Sequence, residues 1–275
     1  MTGGLFTARC RIPIAPAGRL PEAAATAAWP PADAAGNGLL ASLPGEDWRR
    51  LQPSFEPMTL PVGAVLHDAG QSLTHAYFPT TAIVSLLHVT ASGATAEVAV
   101  VGHEGFIGFP LLLGGGPSLS RAVVQGAGDL YRLPSQAIRD EFARAGALTR
   151  LLLLSTQALV AQIAQVAVCN RHHTVSQQLC RWLLCRLDRW QGPELAVTHA
   201  LIAELLGVRR EAVTVASLAL QSAGLIRYRR GHIRVVDRLG LEACCCECYA
   251  TVKREYDRLQ RLGLMAAPVA AGWPA

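Results

Sequence analysis

Lysine is almost missing from this 275-residue chain: Lys253 stands alone against 24 arginines. The bias fits a GC-rich genome as well as any functional demand, so it carries no weight for mechanism. We also predict no signal peptide, because Arg9 and Arg11 are followed by Pro13 and Pro16 and not by a continuous apolar run. A chain of this size needs no disulfide framework. These absences predict a cytoplasmic protein with reduced thiols.

Only one stretch approaches the length of a membrane span. Residues 151–168 form an uncharged run of 18 residues, the lower edge of what crosses a bilayer. The run contains Ser155, Thr156 and three glutamines, and no aromatic anchors flank it. We therefore predict that no membrane is a partner of this chain.

The excess of positive charge lies in the C-terminal third. Between Arg171 and Arg261 the net charge is +6, and over the rest of the chain it is −1. A localised basic surface is typical of nucleic-acid binding, although an ordinary solvated basic face would give the same count.

Short β-rich runs between residues 57 and 133 are separated by Gly, Pro or Ser. They cover Ala76–Phe78, Ala82–Val89, Thr95–Val101, Arg121–Gln125 and Asp129–Leu133. Short strands at this spacing predict a β-barrel or jelly-roll-like domain, which shows no obvious catalytic set. Cys169 beside His172 and His173 would suit a thiol nucleophile, but no oxyanion-hole signature accompanies them. We predict that the chain is not an enzyme.

Residues 135–169 have a helical pattern with an apolar stripe. The stripe residues are Leu148, Leu152, Leu159, Ile163 and Val166. Their spacings of 4, 7, 4 and 3 place them on one face of a helix, which can pair with its copy in a second subunit. The alternative is that the stripe packs on the β-domain. We predict a homodimer formed through this helix.

Residues 199–218 fit a helix-turn-helix position by position. Ala203 is the small residue where the helices cross, Gly207 tolerates the positive φ of the turn, and Val213 anchors the second helix. Thr198 is a suitable N-cap for the first helix. The outward face of the second helix carries Arg209, Arg210, Glu211 and Thr214.

This outward face has the chemistry of base recognition. In the motif, the N-terminal part of the second helix enters the major groove, where Arg pairs bidentately with guanine and Glu accepts from cytosine. A hairpin follows, in which Leu225–Tyr228 and Ile233–Val236 flank Arg229 and Arg230. A basic tip suits the phosphate backbone. We predict double-stranded DNA as the partner.

The order of β-roll, long helix and winged helix-turn-helix resembles the Crp/Fnr family of transcription regulators over about residues 40–260. The most specific stretch is Leu205–Thr214, followed by Ala223–Ile226. The resemblance implies that Arg210 and Glu211 are the base-reading pair, and that Val215 replaces a second base-reading Arg. It also implies RNA polymerase as a partner.

The N-terminal resemblance is to the cyclic-nucleotide-binding fold, in which a Gly-Glu pair holds the ribose and an Arg-Ser pair holds the phosphate. Phe106 stands where that Glu would be, and Glu104 precedes the glycine. Arg121 is displaced by one position, which on a strand turns a side chain to the other face. We predict no cofactor: the pocket holds a ligand other than a cyclic nucleotide, or it is vestigial. Its candidate ligand-binding residues are Gly105, Gly108, Ser120 and Arg121.

Together these patterns predict an α+β fold in five segments. They are a disordered N-terminal arm (1–37), a jelly-roll-like β-roll sensor domain (38–145), a dimerisation helix (146–170), a winged helix-turn-helix domain (171–262) and a flexible tail (263–275).

Four cysteines crowd into Cys244–Cys248. Cys244 and Cys248 share one helical face, but zinc usually takes ligands from two separate segments, and no second pair is evident. Some members of the family hold an iron–sulfur cluster through N-terminal cysteines, and only Cys10 lies there. We therefore predict no metal site, and small buried thiols under the wing.

Two alternatives to a DNA-binding regulator stay open. A ligand-sensing module acting through protein contacts would show no salt-dependent DNA binding. A thiol- or metal-based sensor would hold a metal, or would change its affinity on thiol oxidation.

Overall fold

The computed structural model describes residues 36–190 and 192–264. Residues 1–35 of the predicted arm and 265–275 of the predicted tail lie outside the described residues. At their inner edges both predictions are wrong. The Asn37 side chain is fully buried, and the last helix continues to Leu264.

Seven strands form the predicted β-roll. They are β1 (Glu56–Leu60), β2 (Val65–His67), β3 (His75–Pro79), β4 (Ile83–Val89), β5 (Thr95–Val101), β6 (Arg121–Gly126) and β7 (Gly128–Pro134). Two antiparallel sheets result, one in the order β1-β7-β3 and the other in the order β2-β6-β4-β5. The five predicted strands are confirmed. Strands β1 and β2 were not predicted. Pro57 lies within β1, Pro61 and Gly63 lie between the two strands, and β2 has only three residues.

Helices close the β-roll on one side. They are α1 (Gly38–Ala41), α2 (Gly45–Leu51), α3 (Ser135–Arg144) and α4 (Ala147–His172). The Asn37 carboxamide oxygen caps α1, and its nitrogen donates to the carbonyls of Pro79 and Gly105 at 2.8 and 2.9 Å. The predicted helical stretch is split between α3 and α4, because Ala145 adopts a left-handed φ of 54°.

The described C-terminal residues, 173–190 and 192–264, form five helices and a small sheet. They are α5 (Val175–Leu187), β8 (Leu195–Ala196), α6 (His199–Leu206), α7 (Arg210–Ser222), β9 (Ile226–Arg229), β10 (His232–Val235), α8 (Arg238–Cys244) and α9 (Glu247–Leu264). Helix α9 runs antiparallel along α4, since Gln165 contacts Cys248 while the earlier Gln162 meets the later Tyr256 at 3.0 Å. The fold class is confirmed.

The predicted dimer stripe on α4 lies inside its own chain. Leu148 and Leu152 are buried among α1, α2 and α3, and Leu159 packs into the β-roll interior. Val166 is also buried and Ile163 is half-buried. The β-roll and the neighbouring helices cover Leu148, Leu152, Leu159 and Val166, so as dimer contacts these four are wrong. The half-buried Ile163 stays a prediction.

By length and composition alone, α4 could span a membrane. In the folded chain 44% of its apolar window is buried. Packing against the β-roll and α9 accounts for much of its apolar character.

Candidate nucleic-acid interface

The helix-turn-helix is formed by α6, a turn at Gly207 and α7. The Thr198 hydroxyl accepts a hydrogen bond from the Leu201 amide at 3.2 Å, as expected of an N-cap. Gly207 has φ of +67°, the left-handed conformation that its position requires. Ala203 and Val213 are buried where the two helices meet. The motif predicted from sequence is confirmed.

Arg209 and Arg210 are exposed at the start of α7, with Glu211 beside them. Neither arginine forms an ion pair within 4 Å with any carboxylate of the described residues. Their guanidinium groups are therefore free to meet an external anion or a base edge.

The Thr214 hydroxyl contacts two groups of its own chain. It lies 3.1 Å from the Arg210 carbonyl oxygen and 3.1 Å from Nδ1 of His199. Further along α7, two large apolar side chains are exposed: Val215 is 68% exposed and Leu218 is 56% exposed. The surface of α7 therefore changes from charged to apolar within two turns.

The wing is the β-hairpin of β9 and β10, whose turn has two residues. Arg230 and Gly231 connect β9 to β10 with φ of 48° and 80°, and positive φ at both central residues is the signature of a type I′ turn. The predicted strands are confirmed, each shifted by one residue. Arg229 and Arg230 are exposed at the tip and form no ion pair among the described residues. The third strand, β8, was not predicted because it has only two residues.

His199 joins the first helix of the motif to the wing. Its ring stacks on Tyr228 with 4.0 Å between centroids. Burial, and then the nearby Arg210, lower the pKa of His199. The imidazole is therefore neutral near neutral pH, and its contacts keep α6, α7 and β9 adjacent.

Two buried ion pairs connect the sensor domain to α5 and to the turn that follows it. Arg186 contacts the carboxylate of Glu97 on β5, with Nη1 to Oε1 at 3.1 Å and Nη2 to Oε2 at 2.5 Å. Arg189 donates to Glu104 at 2.7 Å. All four side chains are less than a tenth exposed. Their pairing fixes the helix-turn-helix domain against the sensor domain.

Sequence reasoning did not find these pairs. Glu104 was noted only as an acid on the wrong side of the glycine, and the structure shows that Arg189 engages its carboxylate. The one usable signal was the presence of charged residues inside apolar segments, such as Glu97 in β5. Buried charges need partners, but the pattern alone does not say which.

The four candidate ligand-binding residues are all engaged by protein groups. Gly108 has a φ of +128° and lies so close to Ala76 that a Cβ added to Gly108 would be 3.1 Å from the Ala76 Cα. The carbonyl of Gly105 accepts from Asn37, and the Ser118 hydroxyl donates to the carbonyl of Ser120 at 2.9 Å. Arg121 pairs with Asp68 at 3.0 Å. Phe106, at the position of the expected Glu, stacks on Phe78 in the core.

A buried histidine adjoins this region. Nε2 of His67 lies 3.1 Å from the Ser118 hydroxyl. Burial lowers the pKa of His67 to about 4. The imidazole is therefore neutral at physiological pH.

Family comparisons match both halves of the chain. Residues 57–145 match the cyclic nucleotide-binding domain, and residues 177–244 match the Crp-like helix-turn-helix domain. A search of curated protein sequences finds no match.

Solved structures share the fold over most of their length. A putative transcriptional regulator of the Crp/Fnr family from Eubacterium rectale aligns with a TM-score of 0.61 at 15% identity, covering 75% of this chain and 96% of that one. The c-di-GMP-responsive global regulator CLP of Xanthomonas campestris aligns with a TM-score of 0.58 at 15% identity, covering 70% of this chain and 99% of that one. A Crp/Fnr-family regulator from Thermus thermophilus aligns with a TM-score of 0.55 at 22% identity, covering 69% of this chain and 97% of that one.

Proposed function

The chain belongs to the Crp/Fnr family of transcription regulators, and from this premise we propose that it binds specific double-stranded DNA sequences as a homodimer. Helix α7 would be the recognition helix, with the β9–β10 wing against the phosphate backbone. The match to the Crp-like helix-turn-helix domain supports this proposal, and we also propose that the chain has no enzymatic activity.

The observation that carries this proposal is a group of four exposed arginines that have no acidic partner among residues 36–190 and 192–264. Arg209 and Arg210 begin α7, while Arg229 and Arg230 form the wing tip. Unpaired guanidinium groups at a helix start and at a hairpin tip suit contacts to base edges and phosphates. Val215, exposed on the next turn, suits the methyl group of thymine. Arg210 and Glu211 would read bases, and Arg229 would contact phosphate.

The dimer contact would use the exposed face of α4. Its side chains repeat at spacings of 4, 3, 4 and 3, close to the 3.5-residue period of a coiled-coil seam. They are Leu153, Gln157, Val160, Ala164 and Ala167, with Val168 beside them. Leu153 is 44% exposed and Val160 is 53% exposed. A second copy of α4 would bury this seam and would present two copies of α7 about 34 Å apart, one turn of DNA.

The sensor domain would not respond to a cyclic nucleotide. A bound cyclic phosphate needs a charge-assisted partner, and Arg121 is already paired with Asp68. The carboxylate that would hold a ribose is replaced by Phe106, and the nearby Glu104 pairs with Arg189. By family resemblance we further propose that the dimer works in the cytoplasm and contacts RNA polymerase.

Salt-dependent binding tests the proposal against a module that acts only through protein contacts. The purified chain is titrated onto a mixed-sequence duplex at several salt concentrations. The double variant Arg209→Ala/Arg229→Ala should reduce the slope of log K against log salt by about 2, since each phosphate contact contributes about 0.9. The control Arg49→Ala/Arg139→Ala removes the same charge from exposed sensor-domain positions and should leave the slope unchanged. Absence of salt-dependent binding by the wild type, or equal effects of both variants, would overturn the proposal.

A further inference from the structure

Three cysteines and a histidine from distant parts of the chain meet where the end of α4 lies against the start of α9. Cys169 and His173 end α4, while Cys246 and Cys248 lie at the start of α9. Their four ligand atoms all lie within 4.8 Å of one another. The three cysteines are buried, with at most 5% of each exposed. This cluster has the composition and the two-segment origin that a structural zinc site requires.

The distances within the cluster suit one small ion. Zinc binds sulfur at about 2.3 Å and nitrogen at about 2.0–2.1 Å, so a tetrahedral site separates two sulfurs by about 3.8 Å and a sulfur from a nitrogen by about 3.6 Å. The Sγ atoms of Cys169 and Cys246 are 3.7 Å apart, and Sγ of Cys248 lies 3.4 Å from Nδ1 of His173. The side chains are therefore already placed around a common centre.

The surroundings orient these groups as they would around a metal. His173 points Nδ1 at the cluster, while its Nε2 lies 3.4 Å from the Glu247 carboxylate. A carboxylate on the far nitrogen fixes the orientation of metal-binding histidines in many proteins. Gln165 donates to Sγ of Cys248 at 3.1 Å. Hydrogen bonds of this kind stabilise a thiolate.

The positive charge of a buried arginine beside the cluster independently supports a metal–thiolate site. Arg181 is 6% exposed, and its Nε donates to Sγ of Cys169 at 3.2 Å. Within the described residues no carboxylate comes within 4 Å of Arg181. A buried cation needs a compensating charge. Three thiolates, one dication and a neutral imidazole carry a net charge of −1, which would neutralise this guanidinium.

We propose that Cys169, His173, Cys246 and Cys248 bind one thiophilic divalent cation of the zinc class in a closed tetrahedral site. Four protein ligands leave no open position, so the ion is structural and not catalytic. His173 caps the end of α4, and Thr174 after it begins α5 with a capping box. The ion therefore ties the junction between the long helix and the helix-turn-helix domain to α9. This proposal departs from the sequence prediction of no metal site, which found no second ligand segment to join Cys244–Cys248.

Cobalt titration of the full-length protein tests the site. The reduced, chelator-treated chain should bind one Co²⁺ with the intense visible bands of a tetrahedral thiolate complex, and Zn²⁺ should displace it. Cys169→Ser and Cys248→Ser should abolish these bands. The control Cys244→Ser changes an exposed thiol outside the cluster and should match the wild type. Glu247→Gln should weaken Co²⁺ binding by about 10-fold, the lower end for a group that orients a ligating histidine.

Two further results make the outcome decisive even where a serine variant misfolds. His173→Cys should keep the ion and shift the spectrum towards that of four sulfurs, and Zn²⁺ should raise the Tm of the wild type and of Cys244→Ser alike. The proposal is overturned if the reduced wild type gives no tetrahedral cobalt spectrum. It is also overturned if Cys244→Ser loses binding as completely as Cys248→Ser.

Discussion

Two guanidinium nitrogens of Arg186 on α5 donate hydrogen bonds to the carboxylate of Glu97 on β5, and both side chains are more than nine-tenths buried. The guanidinium also lies 3.5 Å above the ring of Trp182. One end of this pair belongs to the sensor sheet and the other to the helix that supports the helix-turn-helix. The pair therefore holds the two domains in one arrangement.

Removing one partner of this pair should be costly. Glu97→Ala leaves the Arg186 charge buried and uncompensated, and should lower the free energy of unfolding by about 3–5 kcal/mol. Replacing both groups, as Glu97→Leu with Arg186→Met, should recover most of the loss, because apolar substitutes of similar size need no counter-charge. Urea unfolding measures both. The exposed control Glu46→Ala should change stability by less than about 0.5 kcal/mol. A Glu97→Ala variant as stable as this control would contradict the account.

Arg210→Ala should weaken binding to the preferred DNA site by about 1–3 kcal/mol and should relax the preference at one base pair, because a bidentate contact to guanine is lost. Arg229→Ala should instead weaken binding to all sequences about equally, as expected for a phosphate contact. Fluorescence anisotropy on the preferred duplex and on its single-base variants separates the two patterns. Unchanged specificity in Arg210→Ala would remove α7 from its assigned role.

Stability should fall as the pH drops from 7 to 5, in part because of His67. Its pKa is about 4 in the folded chain and about 6.5 when unfolded. The unfolded state therefore binds the extra proton first. The contribution of neutral His67 is fully present above about pH 6.5 and is lost as the pH falls towards 4. The loss between pH 7 and 5 amounts to roughly 2 kcal/mol.

Urea unfolding of the wild type and of His67→Gln at both pH values checks this. The variant should lose roughly 2 kcal/mol less than the wild type over the same interval. Equal pH dependence in the two proteins would mean that His67 is not held neutral by burial.

Val160→Glu should convert the dimer into monomers, because it places a charge at the centre of the exposed α4 seam. Sedimentation equilibrium measures the mass, and DNA affinity should fall in parallel because two half-sites are no longer bound together. Leu119→Glu changes a side chain that is 80% exposed in the sensor domain and should leave the dimer intact. A Val160→Glu protein that remains dimeric would place the interface elsewhere.

Local constraints made the helix-turn-helix predictable. The local geometry of one motif of 11 residues requires residues such as Ala203, Gly207 and Val213 at their positions. The motif could therefore be predicted without knowledge of any distant contact. The wing was predictable for the same reason, since Arg230 and Gly231 follow from the geometry of a two-residue turn. The strands β3 to β7 were visible as β-rich runs between turn signals.

Long-range packing explains what sequence reasoning missed. Helix α4 carries apolar residues on two faces, and periodicity cannot tell which face its own chain covers. The chain covers the face of Leu148 and leaves that of Val160 exposed. The Cys169–Cys246 contact joins residues 77 apart. Only the antiparallel packing of α9 on α4 brings such residues together.

Selection of genomic DNA fragments by the purified protein, at near-physiological salt and with no added ligand, tests the central claim most directly. The account predicts enrichment of one motif with two-fold symmetry, its half-sites about one helical turn apart, and loss of that enrichment in Arg210→Ala. Recovery of fragments with no common motif, or of a motif without two-fold symmetry, would contradict a dimeric, sequence-specific regulator.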